Sequence, residues 1–185
     1  MNQSDNEGAT PLFIACENGH TEVVTKLLDA NADVDQAWGD GFAPLYIACE
    51  NGHIDIIEKL LAANADVNQA NNDGSTPLYL ACQEGHTEIV AKLIASNANV
   101  NQACDEGGFT PLYAASERGH TEVVTALLAA NAEVDQPVVE GWLPLHKASE
   151  NGHTNVVAKL LAANADVDAA TDDDRTALYL SLIHI

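Results

Sequence analysis

The chain has 185 residues, with 7 Lys and Arg against 28 Asp and Glu and a formal net charge of −21. That balance argues against DNA or RNA as a partner, because phosphate contacts need clustered Lys and Arg, and makes a basic protein surface the better electrostatic match. No run approaches the about 18 consecutive apolar residues of a membrane span, and no basic-then-apolar leader opens the sequence, so we expect a cytoplasmic chain with no membrane partner.

The predicted elements recur. Pro11, Pro44, Pro77, Pro111 and Pro144 follow one another at spacings of 33, 33, 34 and 33 residues, and Ala177 stands where a sixth proline falls. A period of this length marks a repeat array in place of a single closed core. The copies run over about 2–34, 35–67, 68–100, 101–134 and 135–167, with a partial copy at 168–185.

The third copy shows the plan. Thr76 is a good N-cap and Pro77 suits the first helical position, where a missing N–H costs nothing; Leu78, Ala81 and Cys82 then share one face. Gly85 ends this short helix. Ile89, Val90, Leu93 and Ile94 recur at helical spacing in a second, more apolar helix, so the two form an antiparallel hairpin. Asn97 follows where a left-handed cap is expected, as do Asn31, Asn64, Asn131 and Asn164. A turn such as Asn72-Asp73-Gly74-Ser75 returns the chain to the next copy. One hairpin cannot cover its own apolar face, so Leu12, Leu45, Leu78, Leu112 and Leu145, with Leu27, Leu60, Leu93, Leu127 and Leu160, are expected to form ladders through a stack.

In order, the first copy starts abruptly at Asn2 and Gln3 with no polar capping repeat, as if the chain were a section of a longer array. The second places Trp38 and Phe42 in its turn, where exposure is expected. The fourth carries the one insertion, in Cys104-Asp105-Glu106-Gly107-Gly108-Phe109, so its tip should protrude or bulge. The fifth has Val138, Val139 and Trp142 in a turn that elsewhere favours Asp, Asn and Gly. The sixth stops inside its first helix, and its tail, Leu180 to Ile185, departs from the repeat and matches a translated sequencing adapter; we expect it to be foreign to the native chain.

With Thr-Pro-Leu, Gly-His and Ala-Asp-Val recurring in phase, the chain resembles an ankyrin-repeat domain. The resemblance implies an all-α, right-handed solenoid of helix-turn-helix copies joined by β-hairpin-like turns. It also implies a non-enzymatic scaffold that binds a protein or peptide through the concave face made by the turns and first helices. Two departures stand out: asparagine replaces the glycine after the second helix, and Phe13, Tyr46, Tyr79 and Tyr113 replace the histidine after Thr-Pro-Leu, which returns only at His146. That histidine usually bonds neighbouring backbone, and tyrosine hydroxyls are candidates to take its place.

Carried onto this chain, the binding positions are Phe109, Arg118, Val138, Val139 and Trp142 as a principal patch, with Trp38 and Phe42 as a second. The bland reading is that these aromatics only cover the neighbouring hairpin. Glu17, Glu50, Glu117 and Glu150 form a row suited to a basic peptide, or simply a solvated face. An alternative function is a structural array whose uncapped ends associate head to tail.

No metal or cofactor is expected. His20, His53, His86, His120 and His153 recur once per copy, but stacked helices set equivalents about 8–10 Å apart, whereas zinc ligands converge within about 2.0–2.3 Å of one ion. The same spacing puts Cys16, Cys49 and Cys82 beyond disulfide reach, as buried thiols, while Cys104 lies in a turn. No catalytic group is assigned: repeated like groups do not make the convergence of unlike groups that catalysis needs.

Overall fold

The computed structural model describes residues 9–182. The opening at Asn2 and Gln3 and the tail positions Ile183 to Ile185 lie outside the described residues. Eleven α-helices run through the described residues: α1 (Pro11–Glu17), α2 (Thr21–Asp29), α3 (Pro44–Glu50), α4 (Ile54–Ala62), α5 (Pro77–Glu84), α6 (Thr87–Ala95), α7 (Pro111–Arg118), α8 (Thr121–Ala129), α9 (Pro144–Glu150), α10 (Thr154–Ala162) and α11 (Ala177–Leu182). No strand occurs among the described residues. The turns are hairpin-like in closure only, with isolated bridges at Trp38 and Phe42 and at Ala170 and Thr176.

Every one of the five prolines sits at the first position of its helix. The threonine caps form where threonine is present: Thr10, Thr76 and Thr110 Oγ1 accept from the N–H of Phe13, Tyr79 and Tyr113 at 3.1 Å. In the fifth copy Leu143 has no such oxygen, and His146 Nδ1 takes the N–H of Leu143 at 3.1 Å while its Nε2 donates to the Ala169 carbonyl at 2.9 Å. The ring is therefore the Nε2–H tautomer, and it ties the fifth copy to the sixth.

Second helices end as the asparagines predict. Asn31, Asn64, Asn97, Asn131 and Asn164 have φ between 58 and 65°. At the first of them, Asn31 N–H donates to the Leu28 carbonyl and Ala32 N–H to that of Leu27, the paired bonds that close a helix end around a left-handed residue.

First helices pack on first helices along the series α1, α3, α5, α7, α9, α11, and second helices on second helices from α2 to α10. The two leucine ladders lie between these rows. Leu12, Leu45, Leu78, Leu112 and Leu145 are each 1% exposed and Leu60, Leu93, Leu127 and Leu160 are fully buried, while Leu27 is partly covered. Each such burial stabilises by about 1.5–3 kcal/mol relative to exposure.

Polar bonds also cross between copies. His53 Nε2 donates to the Glu17 carbonyl, His120 to that of Gln83 and His153 to that of Glu117, at 3.2, 3.0 and 2.9 Å. Asp35, Asn68, Asn101 and Asp135 side chains, each in the linker at the start of a copy, accept from the backbone N–H of Asp66, Asn99, Glu133 and Asp166 in the linker at its end. These bonds tie successive units of the stack without using the residue after Thr-Pro-Leu. One tyrosine does take part, Tyr46 Oη lying 3.3 Å from Ser75 Oγ.

The tail residues Leu180 to Leu182 extend α11, and Leu180 is 1% exposed. At the two ends of the described stack, Ile14 and Val23 on one side and Leu178, Tyr179 and Leu182 on the other are exposed.

Candidate functional site

The described turns are closed by a backbone bond from the N–H of Asn71 to Ser75, Cys104 to Phe109, Val138 to Trp142 and Thr171 to Arg175, and by a reciprocal pair between Trp38 and Phe42, all at 2.8–3.0 Å. Successive tips are then tied together. Asn72 N–H donates to the Asp40 carbonyl at 2.8 Å, Asp105 to Asp73 at 3.0 Å, Val139 to Gly107 at 2.8 Å and Asp172 to Glu140 at 3.0 Å. These bonds fix the register of a row whose side chains differ from copy to copy. The fourth loop holds one residue more than the others between its closing pair, as the insertion predicts.

The aromatic residues are neither sealed in nor fully open. Phe42, Phe109 and Trp142 are half-buried, and each meets the ring four positions on: Tyr46 at 5.2 Å, Tyr113 at 5.4 Å and His146 at 6.1 Å between centroids. The residue before the N-cap thereby packs on the third helical residue, fixing the angle at which the chain enters the helix. Trp38, also half-buried, lies 5.1 Å from Phe13 of the preceding copy. The exposure expected of Trp38 and Phe42 is therefore partial.

Val138 departs further from expectation. It is 6% exposed, so it cannot be offered to a partner, whereas its neighbour Val139 is 51% exposed. Val138 is the last extended residue before a single 3-10 turn over Val139–Gly141, and that turn carries Val139 outward while Val138 faces in.

Of the carboxylate row, Glu17 and Glu50 are exposed and form no ion pair among the described residues. Glu117 and Glu150 are bridged by Lys147, whose Nζ lies 3.6 and 2.7 Å from them. The same ammonium sits 5.4 Å from the Trp142 ring centroid, and the Arg175 guanidinium, paired with Asp173, sits 6.0 Å from it. Arg118 is exposed at the last position of α7. The row is thus two free acids followed by two that share one ammonium.

Between the third and fourth tips lies an open groove of about 520 Å³. Tyr79, Cys104, Phe109 and Val139 wall it, with Asp73 and Glu106 also lining it, both of them exposed. Phe109 and Val139 are brought together here, while Trp142 is not part of it. Gly107 makes room for the wall: a Cβ there falls 2.5 Å from the Phe109 ring, and its φ is +79°. The Tyr79 hydroxyl has no hydrogen-bond partner among the described residues, and burial pushes its pKa up to about 12, so it stays protonated as a donor.

Burial also pushes up the thiols, Cys104 to about 11, Cys16 to about 12 and Cys49 and Cys82 further. Unfolded thiols ionise near 9.0, so above that pH the unfolded state loses protons first and stability falls as pH rises toward 12. At about pH 8, a thiol-reactive disulfide reagent is expected to titrate at most Cys104 in the folded chain, slowly, and all 4 cysteines in denaturant. Rapid reaction of all of them in the folded chain would contradict their burial.

Sequence reasoning missed Lys147 and the groove. The Lys147 slot is held by Ile14, Ile47, Leu80 and Ala114 in the other copies, so the only signal was its singularity. Among the described residues no cluster of three or more His, Cys, Asp or Glu is arranged to hold a metal ion, and no helix is long and apolar enough to cross a membrane. A family model described as ankyrin repeats matches the chain in three copies, over residues 1–71, 45–138 and 130–184. No curated protein matches it.

Proposed function

Since the chain belongs to the ankyrin-repeat family, whose members are generally protein-interaction modules, we propose that it binds a protein or peptide partner through the face made by its turn tips and first helices. One observation carries this reading: the tips are locked in register by backbone bonds, yet present unlike residues, among them Phe109, Val139 and Trp142. A rigid row with variable side chains is suited to recognition, since little ordering entropy is lost on binding. The free carboxylates of Glu17 and Glu50 and the net charge of −21 favour a partner with basic groups.

The test is a titration. Proteins retained by the immobilised chain are identified, prepared pure and measured against the wild type and the Phe109→Ala/Trp142→Ala variant. Binding by the variant should be at least about tenfold weaker. Unchanged affinity with a lowered melting temperature would instead assign those rings to covering the neighbouring hairpin.

A second reading, head-to-tail stacking of copies, draws on the exposed Ile14 and Val23 at one end and Leu178, Tyr179 and Leu182 at the other. Light scattering separates the two, because a monomer at every concentration removes it.

A further inference from the structure

We propose that the groove between the third and fourth tips is a pocket for an apolar side chain flanked by Lys or Arg in a partner peptide. The inference rests on the protein-binding reading above and names the partner's chemistry. It belongs to this chain in particular, because the groove owes its shape to the inserted residue of the fourth turn. That loop spans Cys104 to Phe109 with four residues between its closing pair, and the close approach of Phe109 to Gly107 stands the ring up as a wall. Val139 of the next copy, held by its 2.8 Å bond to Gly107, and Tyr79 of the previous copy complete the apolar surface.

The charge of the occupant follows from the rest of the lining. Asp73 and Glu106 are exposed carboxylates with no ion pair among the described residues, and no Lys, Arg or His lines the groove. Elsewhere the protein's cations already answer such acids, Lys92 bridging Glu58 and Glu88 and Lys147 bridging Glu117 and Glu150. Here the counter-charge is left to the occupant. A leucine, isoleucine or phenylalanine seats against Phe109 and Val139, the stem of an adjacent lysine lies along Tyr79, and its ammonium meets Asp73 or Glu106. The Tyr79 hydroxyl is placed to donate to a carbonyl of the same peptide.

The probe is a phage-displayed random heptapeptide library panned on the full chain, followed by fluorescence anisotropy with the enriched peptides. Enriched sequences should carry Lys or Arg within two positions of a large apolar residue. Their affinity should fall about tenfold or more in the Asp73→Asn/Glu106→Gln variant, both sites being exposed, and should weaken with salt. Glu122→Gln, which removes an exposed carboxylate on α8 away from the tips, should leave it nearly unchanged. Enrichment of peptides without a basic residue, or affinity indifferent to Asp73→Asn/Glu106→Gln, overturns the proposal. If such binding is lost in Trp142→Ala instead, the protein-binding reading survives and only the pocket falls. Enrichment of nothing above background counts against both.

Discussion

Ile56→Ala is expected to lower stability by about 3 kcal/mol, while Val23→Ala, in the same slot one copy earlier, changes it by less than about 0.5 kcal/mol. Ile56 is fully buried on α4, and its later equivalents Ile89, Val123 and Val156 are between 0 and 2% exposed. Val23 is 46% exposed, because α2 is the first second helix among the described residues and only α4 packs on it along that row. Truncating Ile56 leaves a cavity that α2 and α4 cannot close without shifting both neighbours, since each copy is fixed by the one before and the one after. The cost is therefore felt at an interface in the body of the stack, where losing coupling weakens the array on both sides. Urea unfolding at constant m-value measures the two variants directly. Equal midpoint shifts would mean that the slot's burial contributes nothing and that the stack is held by its backbone and polar bonds.

The fold was readable because the repeat spells out its own boundaries. A proline at the first helical position and asparagine at the left-handed cap each leave few backbone choices, and the structure places all five prolines and all five asparagines there. The bonds between successive linkers were less readable. The side chains of Asp35, Asn68, Asn101 and Asp135 looked like extended linker residues, and only stacking shows that each faces an amide of the next linker. A one-dimensional pattern records which residue recurs, not which neighbour it meets.

The candidate site was readable in part for the same reason. Turn composition flagged Phe109, Val139 and Trp142, and all three retain exposed surface. It also flagged Val138, because composition does not tell the inward residue of a pair from the outward one. Lys147 escaped because its partners come from two first helices, Glu117 on α7 and Glu150 on α9, and the groove because its walls come from three copies. Such features are products of the stacking distance and appear only once the copies are laid against each other.

Gly85→Ala is expected to cost about 3 kcal/mol, against about 1 kcal/mol for Gly52→Ala. Both glycines are left-handed, with φ of 76 and 70°, so both variants carry the strain of an L-residue there. They differ in what the new methyl meets. At Gly85 a Cβ falls 2.6 Å from His120 Cε1 and Nδ1, whereas at Gly52 nothing lies within 4 Å. The imidazole cannot move aside freely, because its Nε2 donates to the Gln83 carbonyl at 3.0 Å and so ties the fourth copy to the third. Pushing the ring away breaks that bond and leaves a carbonyl at the end of α5 without its partner. The excess cost of Gly85→Ala is thus a property of the glycine and histidine together, and a double-mutant cycle isolates it. In a His120→Ala background the alanine at 85 should cost no more than the alanine at 52 does in the wild type. A full cost retained in that background would place the whole penalty in the backbone and remove the histidine from the account.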